Sequence, residues 1–390
     1  MNILFVSAVL PYPLHSGGQI RMYQLLKRLS KKHSITLLSF IRNEKEKEYI
    51  KELSFLNHVE TIYRGKALQF KYLFSALGNY SWLLSTYNNQ EMKKSINDQL
   101  STHNFDLVHI EPFYVYPSIP KLSIPLITSE HNIEYSIYEQ YVRKFPVSFL
   151  RPFLFFDVIK TRIWEETVWK NTHTLLSVSE ADRDIMSKIR SKPITVIPNG
   201  VDCHFYTYSK KTLTKDNIKC LFIGDFAWMP NTEAVTMLLK SIWPSIVNAY
   251  PKATLTIVGK QFPKALHAYV NKSIILVEHV PDIRAVYNKH TILLAPMGIG
   301  GGTKFKLLEA MASGLVVMTT REGRMGLRVE PNVDLFDVRT KDEYVSAIQT
   351  LLKYPEKVVT MTKHARKVIE KQYNWDTIAL SLDMAWRSAV

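Results

Sequence analysis

The sequence predicts an α/β protein of two tandem, doubly wound domains with parallel sheets. Three observations predict it. Short, continuously apolar runs alternate with helical ones along the chain, the pattern of strands buried on both faces of a parallel sheet. The alternation pauses once, over the polar, lysine-rich "YTYSKKTLTKDNIK" at 206–219, and then restarts. A chain of 390 residues also exceeds what one core ordinarily holds. The expected organisation is a first domain over 1–205, a linker over 206–219 and a second domain over 220–374. Ligands of such sheets bind at the C-terminal ends of the strands, so a cleft is expected between the two domains.

"NILFVSAVL" reads as the first strand, and "GGQIRMYQLLKRLSKK" as a helix with Ile20, Tyr23, Leu26 and Leu29 roughly on one face. "SITLLSFI" is the next strand, followed by the charged "RNEKEKEYIKEL". "DLVHIE", "PLITSEHN", "HTLLSVS" and "ITVIPNG" continue the first domain. The second opens with "CLFIGDF" and a helix from about Asn231, then "ATLTIVG", "SIILVEHV", the short helix "DIRAVYNKH" and "TILLAPM". A glycine loop with its helix, "LVVMTT", and helices up to Tyr373 complete it.

With 46% hydrophobic and 22% charged residues the composition is that of a globular protein, not a disordered one. No run of about 18 uncharged apolar residues suggests a transmembrane helix. "MNILFVSAVLPYP" lacks a basic leader and reads as a strand rather than a signal peptide. Two cysteines, Cys203 and Cys220, are too few for a disulfide framework or a structural zinc site, and a cytoplasmic setting is expected. The formal net charge of +15 favours anionic partners: nucleic acid, a nucleotide, or an acidic membrane face. No zinc-finger spacing or RNA-binding signature accompanies it, so nucleic acid is set aside.

Residues 141–170, "YVRKFPVSFLRPFLFFDVIKTRIWEETVWK", interleave Arg143, Lys144, Arg151, Lys160 and Arg162 with aromatics. Two readings stay open here. The segment is either an amphipathic surface resting on the inner face of an anionic membrane, or a helix pair packed in the core with solvated cations.

"GIGGGTKFKLLEAMASG" at 298–314 carries the clearest chemistry. Glycines before a helix let a ligand approach the backbone, and the helix aims its free N–H groups and positive dipole end at an anion. Thr303 is expected to cap that helix, with Phe305, Leu308 and Met311 or Ala312 following at helical spacing. Glu309 lies about 9 Å further along the axis, too deep to cap it. An anion-binding start and a carboxylate further on suit a nucleotide diphosphate with its ribose. The plainer alternative is a surface Glu309 paired with Lys306 three residues before it.

The order of motifs resembles the retaining glycosyltransferases of family 4, which have the GT-B fold of two Rossmann-like domains. The resemblance covers almost the whole chain. It rests on "SGGQIR", "EHNIEY", "SVSEAD", "VIPNGVD", "FIGDFAWMPN", "VPDIRAVYNKHTILLAPM" and "GGGTKFKLLEAMASGLVVMTT". It implies a nucleotide-sugar donor, UDP- or GDP-linked, held mainly by the second domain. Glu309 would bind the ribose diol, as an ionised carboxylate can by accepting two hydrogen bonds. Gly224, Gly301, Gly302, Thr303 and Lys304 would line the donor site with it. Two departures stand out. Gly301 occupies the position of a second glutamate common in the family, and Gly224 is followed by "DFAWMPN", without the usual cations. Lys304 and the helix N-terminus are then left to meet the diphosphate.

In the first domain the resemblance puts Gly17 and Gly18 at the start of the first helix, Gly18 near the donor and Gly17 on the acceptor side. His131 of "SEHN" matches the histidine at the reaction centre, where it would orient the donor sugar. Glu130, on the acceptor side, and Glu111 are weaker candidates at neighbouring strand ends. Residues 375–390 resemble the family's last helix, which crosses back to the first domain with Trp375 and Trp386 as anchors. The implied activity is transfer of a sugar to a hydroxyl of a glycan, lipid-linked or polysaccharide acceptor. No cofactor or metal is expected, since no Asp-x-Asp pair sits in a setting that suggests a metal-bound diphosphate. A sugar-nucleotide epimerase of the same architecture and a non-catalytic binding subunit are the alternatives.

Overall fold

The computed structural model describes residues 1–65, 78–298 and 303–390. Its contacts divide them into two units, Met1–Pro198 with Ile378–Val390, and Asn199–Thr377. Each is built on one wholly parallel sheet.

The first sheet contains β1 (Asn2–Ser7), β2 (Ser34–Ile41), β3 (His58–Tyr63), β4 (Leu107–Glu111), β5 (Leu126–Ser129), β6 (Thr174–Ser177) and β7 (Ile194–Val196). Their order is β3-β2-β1-β4-β5-β6-β7. The second contains β8 (Lys219–Asp225), β9 (Thr254–Lys260), β10 (Ile274–Val277), β11 (Ile292–Ala295), β12 (Val316–Thr319) and β13 (Phe336–Asp337), ordered β10-β9-β8-β11-β12-β13. The central strands are apolar without interruption because helices cover both faces: Ile3, Leu4, Phe5 and Val6, or Ile292 to Ala295, are all buried. In both sheets the order reverses beside the first strand, between β1 and β4 and between β8 and β11. Ligands of doubly wound sheets bind in the crevice at that reversal.

The Gly17–Leu29 helix leaves β1 and is capped by Ser16, whose hydroxyl accepts from the Gln19 N–H at 3.4 Å. The strands expected from the sequence are present, and two that carry no clear sequence signal join them, the edge strands β3 and β13. β3 is mostly half-buried and β13 has two residues, so neither shows the solid apolar run of a central strand.

The division between the units differs from the expected linker. It falls at Pro198, and residues 206–219 belong to the second unit. Tyr206, Leu213 and Ile218 pack into that unit's core, and the buried Lys211 ammonium donates to the Tyr287 and Asn288 carbonyls at 3.1 and 2.9 Å. Polar composition hid a segment anchored by three apolar side chains and one satisfied lysine. The final helix, Trp375–Arg387, starts in the second unit, where Trp375 lies beside Phe305 with centroids 6.2 Å apart. From Ile378 onward it belongs to the first unit, so Trp386, and not Trp375, is the anchor there. Trp386 is fully buried and donates from Nε1 to His109 Nδ1 at 2.8 Å, while Asp383 pairs with His33 Nε2 at 2.9 Å. Among the described residues no helix is long and apolar enough to cross a membrane.

Candidate active site

In the first unit the polar groups at the sheet reversal converge on one carboxylate. Register puts Glu111, the last residue of β4, beside Ser7 of β1. Its side chain is 1% exposed and accepts from Arg21 Nε at 3.1 Å. His131 Nε2 hydrogen-bonds the same oxygen. His109 Nε2 stands 3.5 Å from the other oxygen. Because Trp386 donates to His109 Nδ1, the proton of a neutral His109 sits on Nε2 and points at Glu111. Burial alone would raise the Glu111 carboxyl, but His131, His109 and Arg21 together hold it well below the usual carboxylate range. Burial likewise lowers His109.

With Nε2 bound to Glu111, the Nδ1–Cε1 edge of His131 turns toward the first helix. A Cβ at residue 18 would lie 2.8 Å from both His131 atoms. Gly18 is therefore needed to seat the imidazole, a different role from the place near the donor that the resemblance implied. Gly17 is the first residue of the helix. Glu130 does not join this cluster. It is 1% exposed, accepts from Trp169 Nε1 at 3.1 Å and from the Phe113 N–H at 3.4 Å, and burial pushes it up to about 8. A carboxyl so enclosed offers nothing to an acceptor.

In the second unit the residues flanking the glycine loop converge at the reversal between β8 and β11. The helix runs Phe305–Ala312 with Lys304 at its N-cap position, so Thr303 does not cap it. The Thr303 hydroxyl instead accepts from the Asn199 N–H at 3.2 Å. Lys304 is half-buried, and its ammonium donates to the Glu322 carbonyl at 3.3 Å. Gly301 and Gly302 lie outside the described residues.

Glu309 is half-buried. One oxygen accepts from the Tyr287 hydroxyl at 2.7 Å, and Tyr206 also hydrogen-bonds it. Burial raises its carboxyl pKa against these bonds and the charge of Lys306. Lys306 is the residue that sequence reasoning underrated. Its ammonium donates to Asn231 Oδ1 at 2.7 Å and sits 5.0 Å from the centroid of the Phe222 ring. Burial first, and the nearby Lys304 charge second, push it down to about 7. Gly224, at the end of β8, makes room for this arrangement: a Cβ there would meet the Asn231 side chain at 2.9 Å. Gly224, Asn231, Lys306 and Glu309 thus form one connected set.

A half-buried lysine that gains from a second anion, next to a carboxylate with acceptor capacity to spare, suits a ligand carrying both phosphate and vicinal hydroxyls. Residues 15–205 match the family described as Glycosyltransferase Family 4, and residues 217–354 match Glycosyl transferases group 1. The chain belongs to this family of glycosyltransferases, enzymes that move a sugar from a nucleotide-sugar donor. It is 23% identical over 342 residues to an uncharacterized 44.6 kDa protein in the cps region of Klebsiella pneumoniae, covering 83% of this chain and 84% of that one. Its fold is similar to sucrose-phosphate synthase from Thermosynechococcus elongatus, with a TM-score of 0.77 at 14% identity over 100% of this chain and 99% of the other. It is also similar to HepE from Anabaena, solved with UDP-glucose, with a TM-score of 0.69 at 14% identity over the whole of both chains.

Proposed function

We propose that the protein transfers a hexose from a UDP- or GDP-sugar to a hydroxyl of a glycan acceptor, with retention of anomeric configuration, at the inner face of an anionic membrane. The observation that carries the donor half is that Glu309 and Lys306 stand within reach of each other's charge on the helix behind the glycine loop. Glu309 uses the acceptor capacity that its two tyrosine partners leave to take hydrogen bonds from the ribose hydroxyls. Lys306, joined by Lys304, stabilises the charge that develops on the diphosphate as the sugar becomes oxocarbenium-like, so the reading calls for no metal. His131, held through Nε2 by Glu111, keeps Nδ1 for a hydroxyl of the donor sugar. HepE was solved with UDP-glucose, which favours a UDP-sugar, and the Klebsiella relative's place in a cps region favours a polysaccharide or its lipid-linked precursor as acceptor.

A thermal-shift screen with UDP, GDP and ADP tests the donor, because a ligand that binds only the native state raises its stability by mass action. The expected result is a rise with UDP or GDP, followed by nucleotide release from the matching sugar nucleotide that is lost in His131→Ala. Equal response to all three nucleotides, or release unchanged in His131→Ala, contradicts the reading.

A further inference from the structure

In the structure residues 141–170 have two unlike faces: one packs in the core, as the second reading expects, and the other is bare. The Arg151–Asn171 helix buries Val158, Thr161, Glu165, Val168 and Trp169 against the first unit. Its other face carries Phe153, Phe156, Ile159 and Ile163, with Phe149 in the turn before it. These are 74%, 58%, 52%, 58% and 73% exposed, respectively. At about 200 Å² per phenylalanine side chain, the three phenylalanines alone present about 400 Å² of apolar surface. With the isoleucines this reaches the upper range of the largest apolar patch on an ordinary monomer. The helix thus has apolar side chains on two opposite faces, and among the described residues only one of them is covered.

We propose that this ridge is the surface by which the protein docks on an anionic lipid leaflet. The inference rests on the membrane-side reading above and assigns it to particular residues. Arg143, Lys144, Arg162 and Lys170 are exposed and Arg151 half-buried around the ridge, against the carboxylates Glu139 and Glu166. Those two pair with Arg143 and Arg162, and Asp157 and Glu165 turn inward. Cations surrounding a convex aromatic ridge match the interface of an acidic membrane, where phenylalanine enters the acyl boundary and lysine and arginine stay with the headgroups. A second copy of the chain is a poor occupant, because each copy brings a net charge of +15.

The test is co-sedimentation of the full chain and of Phe149→Ser/Phe153→Ser/Phe156→Ser with vesicles of phosphatidylcholine, alone or mixed with phosphatidylglycerol. Each is run at low and at high salt, with Debye lengths of about 10 and 3 Å. The proposal expects the native chain to prefer the anionic vesicles, to lose that preference at high salt, and to bind at least tenfold more weakly in the triple variant. The variant should keep its melting temperature and UDP affinity. If the native chain binds and the variant binds equally well, the ridge is not the surface, although the membrane reading stands. If the native chain binds neither vesicle, both fall. Binding that is indifferent to phosphatidylglycerol overturns the anionic assignment, and a native dimer that becomes monomeric in the variant overturns lipid as the occupant.

Discussion

Replacing Glu111 by Gln removes the one carboxylate on which Arg21, His109 and His131 converge. Shape is nearly kept; charge is lost. Arg21, 1% exposed, retains its hydrogen bond to the Pro198 carbonyl at 2.8 Å but loses the anion that compensates its burial. Breaking a buried pair from one side costs about 3–5 kcal/mol, roughly 150- to 5000-fold in the ratio of folded to unfolded chain. The pH dependence has a definite sign. The native fold holds the Glu111 carboxyl below its ordinary range, so the unfolded chain takes up the proton first as pH falls. The stabilisation is therefore complete above an unfolded value of about 4.3 and is lost as pH falls through the native value. In Glu111→Gln that acid limb should flatten while stability at neutral pH drops. Because the chain divides into two units, the readout is hydrogen exchange of the β1 and β4 amides, which belong to the first unit. Arg21→Met should cost a comparable amount, and the double variant clearly less than the sum. A Glu111→Gln protein within about 1 kcal/mol of the native one at neutral pH, with its acid limb intact, would refute the account of this network.

Two further outcomes concern the second unit. Glu309→Ala should weaken UDP binding by roughly 30- to 1000-fold, since about 2–4 kcal/mol of charge-assisted hydrogen bonding is lost, while Glu309→Gln keeps one acceptor and loses less; an unchanged calorimetric dissociation constant in Glu309→Ala contradicts the ribose assignment. Lys306, pushed down to about 7, must be protonated to meet a diphosphate, so UDP affinity should fall as pH rises above that value, by up to about tenfold per unit. Lys306→Met should bind weakly and lose that part of the pH profile; a native profile in this variant contradicts the role of Lys306.

The sheets were legible because their signal is local. "SITLLSFI" became β2 without the loss of a residue, and the glycine-to-helix pattern after β1 marks a real helix start at Gly17. Elements whose burial is partial carried no such signal, as β3 and the segment 206–219 show. The 141–170 segment failed differently. Composition counts apolar residues but not the faces they occupy, and the Arg151–Asn171 helix has one covered face and one bare one. Glu309 was legible as a carboxylate out of place in an apolar helix. Its neighbour Lys306 was visible only as a possible ion-pair partner, because what matters about it is the depth at which Asn231 and Phe222 hold it, and those residues come from the start of the unit.

The network around His131 was the least legible part, and the reason is distance along the chain. Trp386 and His109 are 277 residues apart and His33 and Asp383 are 350, so no window of sequence contains either pair. A histidine after an apolar strand can be suspected of function from its position. Which of its nitrogens is free cannot, since that depends on Glu111 arriving at the end of a different strand. The same holds for Gly18. The resemblance put it near the donor, but the atoms that fill the missing side chain's space belong to His131. Gly18, Glu111 and His131 therefore form one unit: the glycine admits the ring and the carboxylate fixes its Nε2, and the proposed reading gives Nδ1 to the substrate. Altering any of the three should disturb turnover before nucleotide affinity, because the residues proposed to hold the nucleotide lie in the other unit.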